Sequence, residues 1–458
     1  MAQFTAAQPC TSEVIKGTSR PRDTSGWSFA RNVVILAGGS ALAQGFTALL
    51  TPVLTRLYAP ASLGQFALFS SFLNVGLVGT SLKYELGILA VHTERKAAEL
   101  AFAAFLFTVP MSLLGAAGFY FLVHFSLLGF GALPSYASVL MPVALACGAA
   151  FLVLRYWFVR QEQFSLVSQA TVVQNCARSI CQIAIGAMGF DLFGLLGGEV
   201  LGRCAGMSRM FRQSWPRIRS GVFPIDRNRF REVLSENWRF PVYSFPSSLI
   251  DGLSGNLCIP LIVLYYGSNA GGYFALVQRV LAVPLVLVGA SVADAFHGRL
   301  ALCAREAPDR VIPLFRHTSA WLIGLGIIPA VCLLLFAEPL FRTVFGDQWA
   351  MAGKLAAVVA PLFLAQFVVS PLSRLVFVLE GQRFKLVYDV LALTSMIGVF
   401  VFSARRHFSL VQAVTMLSAT GTLTYVVYYL VLVHVLRLHR RIHKASNSSA
   451  NAASASMV

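Results

Sequence analysis

Six of the ionisable residues inside long apolar stretches of the sequence are candidates for a function, because a charge there is unfavourable unless it has a partner or a role. They are the basic residues Lys83, Arg178, Arg279 and Arg374 and the acidic residues Glu85 and Asp251. A charge near the centre of a bilayer costs at least about 2.5 to 3.5 kcal/mol on insertion scales, so each residue needs a partner, a water-filled cavity or a path to the interface. An arginine there can hold an anion through paired hydrogen bonds, and a carboxylate there can take up and release a proton.

The position of each residue within its stretch divides the six into two groups. Arg178 and Asp251 lie near the middle and Arg279 lies in an outer third, so for these three we favour a functional cavity over a structural ion pair. The other three lie nearer an end, where reaching to the interface is as reasonable as a function. Lys83 and Glu85 are two positions apart and would point to different faces of one helix, so no simple ion pair is expected between them.

Uncharged polar residues recur at helical spacing in the same stretches. Asn74 and Gln174 each belong to a stripe that also contains an ionised residue. Lipid cannot satisfy such groups, so the stripes must face other helices or water. A stripe of Ser and Thr alone favours simple helix packing, whereas an ionised residue in the stripe favours a cavity, so Asn74 and Gln174 are candidate cavity residues. Glu199 is placed to pair with Arg203, one helical turn further on.

The elements that position these side chains are predicted to be membrane spans. Of the 458 residues, 57% are hydrophobic and 12% are charged, whereas an ordinary soluble domain has about 25% charged residues. This composition, with a mean hydropathy of +0.71, excludes a soluble globule, and the long continuous apolar stretches exclude a β-barrel. We predict an all-α polytopic protein with about twelve spans. The predicted spans are 33–54, 65–91, 98–124, 136–158, 166–188, 190–208, 240–266, 271–297, 314–336, 353–379, 386–403 and 408–436.

The distribution of basic residues predicts the orientation. Most of the 36 Lys and Arg residues lie on one side of the membrane if the N-terminus is cytoplasmic, which follows the positive-inside rule. The net charge of +17 therefore requires no nucleic-acid partner. The eight cysteines show no CxxC pair and no clustering with His, so neither a disulfide framework nor a metal site is expected.

The predicted organisation is two helical bundles joined by a basic segment. It consists of a cytoplasmic tail (1–32), a six-helix bundle (33–208), a basic cytoplasmic linker (209–239), a second six-helix bundle (240–436) and a cytoplasmic tail (437–458) that we expect to be disordered from residue 445. A shift of 208 positions aligns Tyr58 with Tyr266 and Gly64 with Gly272, among other identities. Both copies begin on the same side, so the bundles should be pseudo-symmetric about an axis along the membrane normal, with a substrate site between them.

Several segments resemble a known family. They are 54–60 (LTRLYAP), 84–88 (YELGI), 251–254 (DGLS), 271–274 (GGYF) and 345–353 (FGDQWAMAG). Together they resemble the oligosaccharide and polysaccharide flippases, the Wzx-like branch of the MOP superfamily, over nearly the whole chain. A polytopic MATE-like chain of two six-helix bundles is also what this family would show.

The resemblance implies a function and a set of partners. Such a protein translocates undecaprenyl-diphosphate-linked oligosaccharide units across the bacterial inner membrane for O-antigen, capsule or exopolysaccharide assembly, by alternating access coupled to a proton or sodium ion. Membrane lipids, and the polymerase and chain-length proteins of the same pathway, are further expected partners, and no cofactor is expected. The diphosphate and sugar would then contact Arg178, Arg279, Arg374, Lys83, Asn74 and Gln174, and Asp251 or Glu85 would serve ion coupling.

Two other functions remain open from the sequence. A MATE-like small-molecule exporter shares the two-bundle plan, but a cavity built for cations should contain more acidic than basic residues. A membrane glycan polymerase or ligase would ordinarily group its catalytic residues on a large outer loop, and the longest outer segment here, about 337–353, is short. No Walker A, HExxH or GxSxG motif is present, so ATP-driven export by this chain alone is also disfavoured. We expect a transporter and no catalytic residues.

Overall fold

The computed structural model describes residues 26–223, 226–306, 310–379 and 382–455, and these residues are almost entirely helical. The helices are α1 (Gly26–Leu57), α2 (Pro60–Gly79), α3 (Tyr84–Ala90), α4 (Glu94–His124), α5 (Tyr136–Arg160), α6 (Phe164–Ala187), α7 (Asp191–Cys204), α8 (Met207–Val222), α9 (Arg227–Glu236), α10 (Phe245–Asn256), α11 (Cys258–Pro284), α12 (Ala290–Glu306), α13 (Val311–Phe345), α14 (Ala350–Leu372), α15 (Leu375–Val378), α16 (Gln382–Arg405) and α17 (Leu410–Ala455). The N-terminal tail lies largely outside the described residues.

Each predicted span coincides with a helix or a run of helices, which confirms the all-α polytopic fold. By length and composition, eight described helical stretches are able to cross a membrane. One of them, 240–289, is 50 residues long and bends at Gly267 (φ 81°), so it supplies two crossings. The helices α6 and α7 fall outside these eight because α6 carries a polar stripe and α7 has only 14 residues.

The second crossing is broken rather than continuous. Between α2 and α3, Leu82 and Lys83 adopt positive φ angles of 50° and 63°, a left-handed conformation that ends an α-helix. The break turns the Lys83 side chain back, so its Nζ lies 4.0 Å from Oε1 of Glu85. The expectation that these residues point to different helix faces was therefore wrong, because it assumed an unbroken helix.

The two bundles meet along α2 and α11, where the two copies of the repeat come into direct contact. A Cβ atom on Gly64 would lie 1.9 Å from the carbonyl oxygen of Ser268, and a Cβ on Gly272 would lie 1.9 Å from that of Pro60. The repeat relates Gly64 to Gly272 and Pro60 to Ser268, so the contact is reciprocal. Only glycine permits this close approach of two backbones, and the repeat thus supplies both halves of the crossing.

The sixth crossing bends between α7 and α8. Ala205 is extended and Gly206 has φ 73°, after which α8 continues to the end of the molecule that carries the basic segment, here called the basic end. Met210, Ile218 and Val222 form the buried face of α8. The segment predicted as a linker therefore contains two helices, α8 and α9.

The C-terminal helix extends further than expected. The helix α17 continues to Ala455, so the prediction of disorder was wrong for residues 445–455. The segment contains neither glycine nor proline, the two residues that most disfavour a helix, and its alanines have the highest helix propensity. The boundaries of the predicted domains stay predictions.

Candidate substrate cavity

A cavity of about 380 Å³ lies between the two bundles, near the middle of the crossing helices. Helices α1, α2, α6 and α7 of the first bundle line it, together with α10 and α11 of the second. Its charged lining residues are Arg178, Arg203, Arg279 and Glu199. Three guanidinium groups thus face one carboxylate, and the lining carries an excess of positive charge.

The carboxylate of Glu199 organises two of the three arginines. Its side chain is 3% exposed, and Oε1 accepts a hydrogen bond from Nε of Arg203 at 2.8 Å. Arg178 approaches the other oxygen, Oε2, with Nη1 at 3.6 Å. Arg178 also donates from Nη2 to Oδ1 of Asn175 at 2.6 Å. The predicted pair between Glu199 and Arg203 is confirmed, and Arg178 joins it.

Glycines bring α6 and α7 close enough for this network. A Cβ on Gly202 would lie 2.4 Å from Cβ of Arg178, and a Cβ on Gly198 would lie 2.5 Å from Cγ of Gln182. The two positions are one helical turn apart and form a flat strip on α7 against which α6 packs. The polar stripe of α6 is thereby held directly beside Glu199.

Arg279 brings a positive charge from the second bundle. It lies on α11, within electrostatic range of both Glu199 and Arg178. The cavity therefore has cationic groups on both sides of the interface between the bundles. An anion held between Arg178 and Arg279 would contact both bundles at once.

Of the other predicted cavity residues, Asn74 lines the cavity and Gln174 does not. Asn74 donates from Nδ2 to Oδ1 of Asn256 at 3.2 Å, a contact between the bundles. Gln174 donates from Nε2 to the carbonyl oxygen of Arg203 at 2.9 Å. Since that carbonyl lies in the last turn of α7, Gln174 satisfies a helix end and fixes the backbone that carries Arg203.

Four other candidate residues lie outside the lining of this cavity, namely Lys83, Glu85, Arg374 and Asp251. Glu85 is buried beside the break after α2, where Oε2 accepts a hydrogen bond from Oγ of Ser81 at 2.5 Å, and Lys83 lies next to it. Arg374 is exposed at the junction of α14 and α15.

Asp251 belongs to a separate charged cluster in the second bundle. Nζ of Lys385 lies 3.4 Å from Oδ1 of Asp251 and 2.6 Å from Oδ2 of Asp389. The Asp251 side chain is 70% exposed, whereas Asp389 is 16% exposed. The structure thus places an ion pair where we favoured a cavity, because α16 brings a lysine to α10.

Sequence reasoning missed some of these residues. The sequence identifies Arg203 only as a partner of Glu199, one helical turn away, and not as a cavity residue. Lys385 and Asp389 were missed because Lys385 lies just before the predicted eleventh span. Their spacing of four positions, which places them on one helix face, was the available signal.

Comparisons with known proteins agree with this architecture. Residues 53–354 match a family model described as "Polysaccharide biosynthesis protein", and no curated protein matches the sequence. The chain is similar to the lipid II flippase MurJ in an inward closed conformation, with 14% identity and a TM-score of 0.64 over 88% of this chain and 92% of that one. It is also similar to the MATE transporter VcmN of Vibrio cholerae, with 15% identity and a TM-score of 0.56 over 90% of this chain and 97% of that one.

At these identities the likeness to the solved structures shows the fold alone. Transporters of the MOP superfamily share this fold, which agrees with the two pseudo-symmetric bundles described above. The family model covers well over half of the chain, from the end of α1 to the start of α14. The chain therefore belongs to the polysaccharide biosynthesis protein family and is a polytopic membrane protein with the MOP fold.

Proposed function

We propose that this protein is a flippase that moves undecaprenyl-diphosphate-linked oligosaccharide units across the bacterial inner membrane. The observation that supports this proposal is the cavity between the bundles, in which Arg178, Arg203 and Arg279 face the single carboxylate of Glu199. Guanidinium groups bind phosphate oxygens through paired, charge-assisted hydrogen bonds. A diphosphate supplies the negative charge that this lining lacks, and the sugar would take up the polar side chains around it.

Alternating access fits the contacts between the bundles. At the end opposite the basic end, α2 and α11 touch at Gly64 and Gly272. There, the indole Nε1 of Trp349 also donates to the carbonyl oxygen of Thr55 at 2.9 Å. These contacts close the cavity towards that end. With the basic end in the cytoplasm, as the positive-inside rule favours, substrate would enter from the cytoplasmic side and leave after the contacts separate.

For ion coupling, Asp251 and Glu85 stay our candidates, and the geometry suggests different roles for them. Asp251 shares the ammonium group of Lys385 with Asp389, so neutralising Asp251 would leave the lysine held by Asp389 alone and would remove the link between α10 and α16. Glu85 is buried at the break between α2 and α3, where a change of charge would favour a change in helix geometry. If Asp251→Asn and Glu85→Gln both leave transport dependent on the ion gradient, neither residue is the coupling group.

The fold also suits a MATE-like exporter of small molecules, as the likeness to VcmN indicates. The charge of the cavity argues against cationic cargo, because an excess of arginine would repel it. We therefore place this function second. A purified protein that binds organic cations in preference to a polyprenyl diphosphate would reverse the order.

The direct test is transport of lipid-linked oligosaccharide in cells. Deleting the gene should cause lipid-linked repeat units to accumulate in the inner leaflet, with depletion of free undecaprenyl carriers. Arg178→Ala and Arg279→Ala should abolish complementation at normal protein levels. Arg342→Ala is a matched control, since Arg342 is 61% exposed and paired with Asp347, away from the cavity. Normal turnover of lipid-linked units in the deletion strain would refute the proposal.

A further inference from the structure

Two cysteines from different helices lie in contact beside the cavity. Sγ of Cys147 on α5 is 3.1 Å from Sγ of Cys204, the last residue of α7. Among the described cysteines, this is the pair whose sulfur atoms approach each other within hydrogen-bonding distance, and both residues are free thiols. A disulfide requires a sulfur–sulfur distance of about 2.05 Å, so the two sulfur atoms would have to approach each other by only about 1 Å to form one.

The position of the pair connects it to the charged lining. Arg203 directly precedes Cys204, and its Nη1 would lie 3.0 Å from a Cβ on Gly148, the residue that follows Cys147. The chain from Cys204 continues into the bend at Gly206, where α7 gives way to α8. A covalent bond at this point would therefore fix both the backbone of a cavity arginine and the bend of the sixth crossing.

We propose that Cys147 and Cys204 are a redox-sensitive dithiol whose oxidation to a disulfide locks α7 against α5 and arrests the movement of the cavity wall. Cys204 is exposed and Cys147 is half-buried, so an oxidant reaches Cys204 first. A peroxide converts the Cys204 thiol to a sulfenic acid and releases one water. The Cys147 sulfur then attacks the sulfenic sulfur, a second water leaves, and the disulfide forms. In total the two thiols lose two electrons and two protons, and the peroxide is reduced to water.

The alternative is that the two thiols simply pack together. Cysteine commonly serves as a small hydrophobic residue in helix interfaces, and α5 and α7 are packed against each other here. Packing alone, however, would leave the thiols free under mild oxidation and would give transport no dependence on the redox state. The two explanations therefore differ in measurable outcomes.

The test is made on the full-length protein in native membranes treated with hydrogen peroxide and then with dithiothreitol. Peptide mass spectrometry should find the segments containing Cys147 and Cys204 joined after peroxide and separate after reduction. The chain has eight cysteines, so the number of titratable thiols should fall by two. Finding these two segments unjoined after an oxidation that modifies Cys204 would overturn the proposal. This readout does not depend on what the protein transports.

A transport measurement tests whether the disulfide arrests the movement of the cavity wall. This part of the proposal rests on the proposed function. Oxidation should lower the export rate of the lipid-linked glycan about tenfold, a typical size for coupling between two sites, and dithiothreitol should restore it. Cys204→Ser should remove this sensitivity, whereas Cys332→Ser, at an exposed position on α13, should retain it. A disulfide that forms without slowing export would refute the arrest of the cavity wall. Failure of glycan export in the untreated protein would instead refute the proposed function.

Discussion

Replacing Gly64 with alanine should separate the two bundles at the end opposite the basic end. The new Cβ atom would lie 1.9 Å from the carbonyl oxygen of Ser268, whereas ordinary van der Waals contact begins at 3.4 Å. The backbones of α2 and α11 would therefore have to move apart by about 1.5 Å at this crossing. This oxygen belongs to the backbone of Ser268, so no side chain can rotate to relieve the overlap.

The size of the effect follows from the general behaviour of overfilled interfaces. Inserting a methyl group into a close contact costs typically about 1 to 3 kcal/mol. The cost falls only on the state in which α2 and α11 touch, so the equilibrium should shift towards the separated state about 5- to 150-fold. Gly272→Ala should have the same effect, because its Cβ would meet the carbonyl oxygen of Pro60 at the same distance. Once one substitution has separated the helices, the second should add little.

The separation can be measured as a distance between two labels. In a variant without native cysteines, spin labels at Leu127 and Thr343 report on the two bundles at this end, since both positions are exposed. Pulsed electron paramagnetic resonance should show a larger population of long distances in Gly64→Ala and Gly272→Ala. Gly255→Ala is the matched control, because a Cβ there meets nothing within 4 Å, while its gain in helix propensity is the same. If all three variants give the same distance distribution, the glycine crossing is not what holds the bundles together.

Further predictions concern the charged and hydrogen-bonded contacts. Arg203→Ala should lower the free energy of unfolding by up to about 3 kcal/mol, because the buried Glu199 loses its nearest partner; adding Glu199→Gln should recover most of the loss in a thermal melt of the purified protein. Trp349→Phe should lower it by only about 0.5 to 1.5 kcal/mol, because the carbonyl group of Thr55 loses one donor and keeps Nε2 of Gln348 at 2.8 Å; unchanged melting would contradict the Trp349 contact. Lys385→Met should strongly reduce transport without loss of protein from the membrane if the cluster serves ion coupling, and wild-type transport would exclude it.

The internal repeat shows how far the sequence reaches into the tertiary structure. Aligning Gly64 with Gly272 predicted two related halves, because a glycine repeated with its neighbours indicates a repeated backbone environment. It could not predict that the two glycines face each other across the interface. That contact depends on the relative rotation of the bundles, and local sequence does not specify a rotation between two distant helices.

For the charged residues too, the sequence predicts the local surroundings but not the partner on another helix. The sequence predicts polar surroundings for Arg178 and Arg279, because a charge in a span must face polar groups or water, and both residues line the cavity between the bundles. It did not distinguish them from Asp251, for which the polar surroundings are a nearby ion pair. The partner of Asp251 is Lys385, which lies 134 positions away, and a partner at that distance is fixed only by packing.

The sequence by itself determined the class of the protein, its all-α polytopic architecture and the excess of positive charge within its spans. These properties follow from composition and local periodicity, since a bilayer imposes the same length and polarity on every span. Only the tertiary structure decided which charges share a cavity, that Arg178 joins the pair of Glu199 and Arg203, and that Cys147 meets Cys204. Each of these contacts joins different helices, and its existence depends on how closely those helices approach.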